Sequence, residues 1–206
     1  MLGMLASALR ASIATCLLCG LIYPLAVDGV AQVLLPYQAN GSLERDADGT
    51  VVGSHLIGQQ WQGPQWFHGR PSATTDADPN DATKTVPAPY NAASSTGSNL
   101  GPTNKTLMER LMADRKTLEA AQPELTGRLL PADMLTASAS GLDPDISPAD
   151  ALLQVPRVAR ARGVSGEAIY ALVEKHVADR SLGVFGEPRV NVLALNLALR
   201  HAYPRP

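Results

Sequence analysis

A chain of 206 residues is long enough for one ordinary domain plus an appendage. Its 17 Lys and Arg against 19 Asp and Glu leave a net charge of −2, so no basic field exists to hold a phosphate backbone, and nucleic-acid binding is excluded as a working function. A hydrophobic content of 45% excludes a disordered chain, while 4% aromatics with 17 Gly and 16 Pro demand a core of small aliphatics in a loop-rich fold.

Up to Val27 the only charged side chain is Arg10, and the first acidic residue is Asp28. The apolar run from Ala11 to Val27 continues past Asp28 to Leu35, about 17 to 25 residues, which is what a helix needs to cross a hydrocarbon core of about 30 Å. The pattern predicts a retained transmembrane helix over 11–35. A cleaved signal peptide, the other reading, has an apolar region of only about 7–15 residues and an A-x-A-like site, and no such site lies near Asp28. Ala11, Ala14, Cys16 and Gly20 are small residues that let a second helix approach, so they are candidate docking positions in the membrane. Cys16 and Cys19 form a C-x-x-C pair inside the apolar run, where they read as packing residues rather than a redox couple. Arg10 before the run, and Glu44, Asp46 and Asp48 outnumbering Arg45 after it, place a short N-terminus, 1–10, in the cytoplasm and residues 36–206 outside. The outer segment has no cysteine, so it folds by packing without a disulfide scaffold.

Pro36 ends the apolar run, and Val51 to Ile57, opened by Asp48-Gly49, reads as a short strand after a tight turn. Trp61, Trp66, Phe67 and His68 follow as an aromatic-rich stretch. Residues 73–105, with Pro79, Pro87, Pro89 and Pro102, read as a long polar loop, functional or docked against something. Leu107, Leu111, Met112 and Leu118 have the spacing of one helix face over Leu107 to Ala121, stopped by Pro123. Ser147-Pro148 opens another helix, with Pro156 expected to kink it and Gly163 to close it. Ser165 caps a third, whose Ile169, Leu172, Val173, His176 and Val177 recur on one buried face. Val190 to Leu199 alternates like a strand and also fits a helix; the reading adopted is a short strand entering a helix capped by Asn191. The fold class is α+β: one N-terminal transmembrane helix followed by a loop-rich mixed α/β extracytoplasmic domain.

Neither a G-x-x-x-x-G-K-[ST] loop nor an aspartyl-phosphate signature is present, so this chain does not hydrolyse ATP by itself. Ser138-Ala139-Ser140-Gly141-Leu142 lacks the first glycine of a G-x-S-x-G elbow. Ser140, His68 and Asp143 remain the raw material of a membrane-anchored periplasmic hydrolase, the alternative class of function. His55, His68, His176 and His201 are scattered without ligand spacing, which argues against zinc. Asp143-x-Asp145-x-Ser147 imitates the start of a calcium loop, but Pro144 and Pro148 intrude and Gln154 stands where a bidentate Glu is needed. Ser138, Ser140, Gly141 and Asp143 read instead as a tight turn whose hydroxyl and carboxylate groups accept backbone hydrogen bonds, with Asp143 also free to meet a basic group on a partner. Gln154, Arg157, Arg160 and Arg162 place several donors on one helix, either as a solvated or acid-paired face or as a partner-docking one.

Six motifs come in one order: Gly53-Ser54-His55-Leu56-Ile57-Gly58-Gln59, Trp66-Phe67-His68-Gly69-Arg70-Pro71-Ser72-Ala73, Ser98-Asn99-Leu100-Gly101-Pro102, Ser138-Ala139-Ser140-Gly141-Leu142-Asp143-Pro144, Gln154-Val155-Pro156-Arg157-Val158-Ala159-Arg160-Ala161-Arg162 and Arg189-Val190-Asn191-Val192-Leu193. With the N-terminal helix they cover essentially the whole chain, which resembles the C subunits of the bacterial Kdp high-affinity potassium-transporting ATPase. The resemblance implies a non-catalytic accessory subunit of an inner-membrane potassium-uptake complex. Its implied partners are a channel-like potassium-binding subunit, a P-type subunit that hydrolyses ATP and a small single-helix subunit, beside the lipid bilayer. Such subunits are described as catalytic chaperones that support the ATP-hydrolysing subunit, with the Gln154 segment likened to a nucleotide-binding loop. A cytoplasmic N-terminus would put Gln154 and Arg157 across the bilayer from ATP. The expectation is therefore that this chain binds no cofactor alone, that ATP and potassium act in the assembled complex, and that Arg70 and the Ser138 and Gln154 segments serve structure or partner contact.

Overall fold

In the computed structural model, which describes residues 2–46 and 48–204, Pro24 shapes the N-terminal helix. Helix α1 (Leu2–Leu17) passes through a single π turn (Leu18–Ile22) into α2 (Tyr23–Leu34). Proline has no N–H for the ladder and its ring crowds the carbonyl four residues back, so the turn before Pro24 widens and the Tyr23 N–H reaches Leu18 O, five residues back. The stretch Gly3–Leu34, 32 residues, is long and apolar enough to cross a membrane. A short α3 (Pro36–Ala39) follows, then strands β1 (Leu43–Arg45) and β2 (Val51–Ser54), which pair with each other. Gly49, at φ +84°, makes the turn between them, as Asp48-Gly49 predicts. The strand expected to reach Ile57 stops at Ser54, whose hydroxyl accepts the Leu56 N–H and turns the chain.

The chain divides into two compact units, Met1–Val52 and Gly53–Pro206. In the second, the stretch expected as an unbroken loop over 73–105 contains a hairpin, β3 (Thr75–Asp78) and β4 (Asp81–Pro87), closed at Pro79-Asn80 with the Asp78 carboxylate accepting the Asn80 N–H. Polar residues on both faces hid the strands, since alternation of apolar and polar residues signals only a strand with one face buried. Helix α4 (Lys105–Ala121) is capped by Asn104, whose side chain accepts the Thr106 and Leu107 N–H groups. Leu107, Leu111 and Leu118 are half-buried on it, but Met112 faces solvent and does not belong to that stripe.

The remaining elements are β5 (Asp145–Ile146), α5 (Pro148–Arg162), α6 (Gly166–Lys175), β6 (Val177–Ala178), β7 (Arg189–Asn191) and α7 (Val192–Ala202). The three strands form an antiparallel sheet in the order β5-β7-β6, with Asp145 opposite Asn191 and Val177 opposite Val190. All three expected caps are in place: the Ser147, Ser165 and Asn191 side chains accept the N–H of Asp150, Ala168 and Ala194. Gly163 closes α5 at φ +67°, and the helix runs through Pro156 without a break in its bounds. Helix α6 ends two residues earlier than its apolar spacing implies: His176 is its C-cap and Val177 belongs to β6. The core lies where α5, α6 and α7 meet the sheet, with Ile146, Val158, Ile169, Val173, Val190, Leu195 and Leu199 all buried, together with Phe67 from the aromatic-rich stretch.

Candidate functional site

Phe67 belongs to a segment, residues 63–68, that has neither helix nor strand and yet is buried at its centre. Buried backbone polar groups need partners, and here side chains supply them. Five consecutive carbonyls are bound: Pro64 O and Trp66 O by Arg157 Nη1 at 2.8 and 2.9 Å, Gln65 O by Arg162 Nε at 3.0 Å, Phe67 O by Asn196 Nδ2 at 2.9 Å, and His68 O by Gln154 Nε2 at 3.0 Å. Asn196 Oδ1 also accepts the Phe67 N–H at 2.9 Å, and Gln154 Oε1 the His68 N–H at 2.8 Å. The Arg162 guanidinium lies 4.4 Å from the centre of the Trp66 ring, a cation–π contact, and Trp61 and Trp66 are 5.0 Å apart, centre to centre. The 63–68 strap is thus tied down by side chains of α5 and α7.

Helical spacing makes this possible. Asp150, Gln154 and Arg157 are four and three residues apart, so they form a ladder along one face of α5. Gln154 Nε2 donates to Asp150 Oδ1 at 2.8 Å and Arg157 Nη2 donates to Gln154 Oε1 at 2.6 Å. With its two bonds to His68, the Gln154 amide has both hydrogens donated and two bonds accepted, and the side chain is only 3% exposed. In this arrangement it has no group left for a nucleotide. Burial pushes the Asp150 carboxyl up to about 7, against the Gln154 hydrogen bond that favours the anion. Burial also pulls Arg157 down to about 10, with Asp150 opposing. The His68 imidazole is held below its ordinary value by burial and then by the Arg157 charge, both of which favour the neutral ring, and its Nε2, 2.9 Å from the Gly63 carbonyl, is the nitrogen placed to donate.

The second cluster is the Ser138 to Asp143 turn. Ser138 Oγ accepts the Gly141 N–H at 2.8 Å and Ser140 Oγ the Leu142 N–H at 3.1 Å. Asp143 Oδ1 accepts the Asp145 N–H, while Oδ2 pairs with Arg70 Nη1 at 2.9 Å. Ser72 Oγ donates to Gly141 O at 2.7 Å, and Ser95 Oγ to Ser140 O at 3.0 Å. Gly141 sits at φ +68°, where a Cβ would come within 2.5 Å of Thr74 Cγ2 and 2.6 Å of Thr96 O, so no other residue fits. Tyr90 completes the cluster: its hydroxyl donates to Arg70 O at 2.7 Å, and its ring fills the space that side chains at Gly58 and Gly69 would occupy. Burial, then the Asp143 charge, raises the Tyr90 hydroxyl to about 12.

Residues 5–201 match the family described as K+-transporting ATPase, c chain (KdpC). The chain belongs to that family. It is 59% identical over 187 residues to the potassium-transporting ATPase KdpC subunit of Rhodopseudomonas palustris strain BisB18, covering 91% of this chain and 92% of that one. The KdpC subunit of Methylobacterium nodulans is 57% identical over 199 residues, 97% of each chain, and that of Bradyrhizobium diazoefficiens 59% over 183 residues, 89% of each.

Within this family member, the residues singled out from sequence fall into four places. Ser138, Ser140, Gly141, Asp143 and Arg70 share one stitched turn; Gln154, Arg157 and Arg162 share the strap clamp and hold backbone carbonyls, rather than the solvated, acid-paired or partner-docking face their place on one helix suggests. Arg160 stands apart, paired with Glu124 at 2.8 Å. Ala11, Ala14, Cys16 and Gly20 all lie exposed on the N-terminal helix, but not as one surface: at about 100° per residue, Cys16 and Gly20 lie on the side away from Ala11 and Ala14. The three hydrolase candidates form no relay: Ser140 Oγ accepts a backbone N–H, His68 Nε2 is on Gly63 O, and the Asp143 carboxylate is engaged by Arg70 and Asp145 N–H. Among the described residues no group of three or more His, Cys, Asp or Glu side chains is placed to hold a metal ion. Sequence reasoning missed Asp150, Tyr90 and Asn196. Of these, Asp150 alone carried a signal, as the acid four residues before Gln154 in the first turn of a capped helix.

Proposed function

We propose that this chain is a non-catalytic accessory subunit of a potassium-transporting ATPase complex, held in the bacterial inner membrane by its N-terminal helix and carrying its second unit in the periplasm. It stabilises the assembled transporter and supports the ATP-hydrolysing subunit, while a channel-like potassium-binding subunit and a small single-helix subunit complete the assembly. Full-length membership of the KdpC family carries this reading. The engaged side chains of both motif clusters agree with it, because the groups that looked chemical hold backbone instead. The same engagement weighs against the hydrolase alternative. Purification through a C-terminal tag from a potassium-starved bacterial host, with mass identification of what comes along, tests the proposal. The other subunits of a potassium-transporting ATPase should be recovered together with potassium-stimulated ATP hydrolysis; recovery of the chain alone, or esterase or peptidase activity lost in Ser140→Ala, would overturn it.

A further inference from the structure

Pro24 leaves the N-terminal helix short of a hydrogen-bond donor at its middle. Of the two N–H groups placed to reach the Cys19 carbonyl, that of Tyr23 is spent on Leu18 O in the π turn, and the next residue is the proline, which has none. The same proline takes from Gly20 O its ordinary donor four residues on. Side chains of the helix do not make up the loss. A Ser, Thr or Cys three or four residues on could fold back onto such an oxygen, but those positions hold Ile22, Tyr23 and Pro24.

Depth turns this shortage into a demand. Arg10 and Asp28 are the two charged residues of the Gly3–Leu34 helix, and Cys19 stands nine residues from each. At about 1.5 Å per residue the two charges are about 27 Å apart, which matches a hydrocarbon core of about 30 Å and sets Cys19 at its midplane. Water does not reach that depth and lipid chains carry no donor, so an unpaired carbonyl there is costly until a neighbouring helix supplies one. Access is open. Gly20 has no side chain to shield the oxygens, and nothing beyond its own neighbours in the helix lies within 4 Å of where its Cβ would stand.

A second copy of this chain suits the place poorly. In parallel register it brings to this level the thiols of Cys16 and Cys19, which are weak donors, and a Tyr23 ring whose bulk holds two helices apart where Gly20 lets them close. Its Ser12 and Thr15 hydroxyls belong to turns nearer the N-terminus. What the site complements is a different helix with a hydroxyl or amide at mid-membrane.

We propose that the π turn is a polar docking point, at which the Cys19 carbonyl, with Gly20 O beside it, accepts a hydrogen bond from a Ser, Thr, Asn or Gln side chain on a transmembrane helix of another subunit of the transporter. The inference rests on the accessory-subunit reading, which puts this helix in the membrane beside other subunits, and specifies how it is held there.

The test uses the full chain co-expressed with the rest of the transporter, with a photoreactive phenylalanine analogue placed singly at each position from 16 to 23. Illumination should join positions on one side of the helix to a single helix of another subunit, at a stretch bearing a Ser, Thr, Asn or Gln, and the remaining positions to lipid. That donor is then replaced by an apolar residue of similar shape, alone and together with Pro24→Ala, which returns an N–H to the helix and lets its own backbone satisfy the two carbonyls. Replacement of the donor should lower recovery of the complex about three- to tenfold against the unsubstituted chain and less than about twofold against Pro24→Ala. Crosslinks only to lipid or to a second copy, crosslinks to a stretch without such a donor, or effects of the two substitutions that simply multiply would overturn the docking point and leave the accessory-subunit reading standing. Failure of the unsubstituted chain to bring down any other subunit would overturn both.

Discussion

Gln154 and His68 make a closed pair across 86 positions of sequence: the glutamine oxygen accepts the His68 N–H at 2.8 Å, and its nitrogen donates to the His68 carbonyl at 3.0 Å. The amide side chain does for His68 what a neighbouring strand would do in a sheet. Asn196 repeats the device one residue earlier, on Phe67 N–H and C=O, both at 2.9 Å. Two side-chain amides on two helices thus substitute for a missing β partner.

Gln154→Ala should therefore act as a stability lesion. It strands the His68 N–H and C=O and leaves Arg157 and Asp150 without a shared partner, costing about 2–5 kcal/mol. Denaturant unfolding of the full-length chain in detergent measures it. Complexes that do assemble should keep near-normal ATPase turnover. A glutamine whose main role is nucleotide contact predicts the reverse pattern, with unfolding unchanged and turnover lost.

Asp150 makes the clamp sensitive to pH. Its folded value, about 7, lies above the ordinary aspartate value near 4, so the fold favours the protonated acid. That contribution is fully present below about pH 4 and is lost as pH rises through about 7. Asp150→Asn keeps an acceptor for Gln154 and abolishes the charge. Melting temperatures between about pH 5 and 8 should fall with pH in the unsubstituted chain, stay flatter in the variant, and be higher in the variant at the alkaline end. Parallel curves for the two proteins would contradict this account.

In the Ser138 turn the two serines should differ. Ser138→Ala leaves a buried Gly141 N–H unpaired and should cost about 1–3 kcal/mol; Ser140→Ala, on the more exposed Leu142 N–H, about 0.5–1.5 kcal/mol. Asp143→Asn, which weakens the partly exposed pair with Arg70, belongs near the upper end of the Ser140 range. Complex yield should drop most in Ser138→Ala, less in Asp143→Asn and least in Ser140→Ala, while turnover per assembled complex holds. Normal yield with turnover abolished in Ser140→Ala would point to a nucleophile instead.

The proposed topology is checked by reporter fusion. Arg10 ahead of the apolar run and the acids beyond it are the basis for proposing a periplasmic C-terminus. A C-terminal alkaline phosphatase fusion should be active and a C-terminal fluorescent-protein fusion of the cytoplasmic-folding type dark. The opposite result would reverse the orientation and return Gln154 to the side of the membrane where ATP is found.

Local signals alone were enough for the helices. Ser147-Pro148, Ser165, Asn191 and Gly163 are caps whose chemistry acts within four residues, so their roles are legible without any neighbour, and the apolar stretch over 11–35 is a property of composition. The Ser138 to Asp143 turn was readable for the same reason, its bonds spanning two or three residues. The inward course of Arg157 and Arg162 was not. Helical periodicity tells which residues share a stripe, and a stripe of Asp, Gln and Arg looks solvated until something covers it. The cover is the 63–68 strap, between 86 and 97 positions upstream, and it shows no strand or helix pattern because its hydrogen bonds go to side chains. The β3–β4 hairpin was hidden from the other direction, polar on both faces. What the tertiary structure alone decided is which polar groups are structural, because a polar residue is committed inward only when the fold supplies both its burial and its partner.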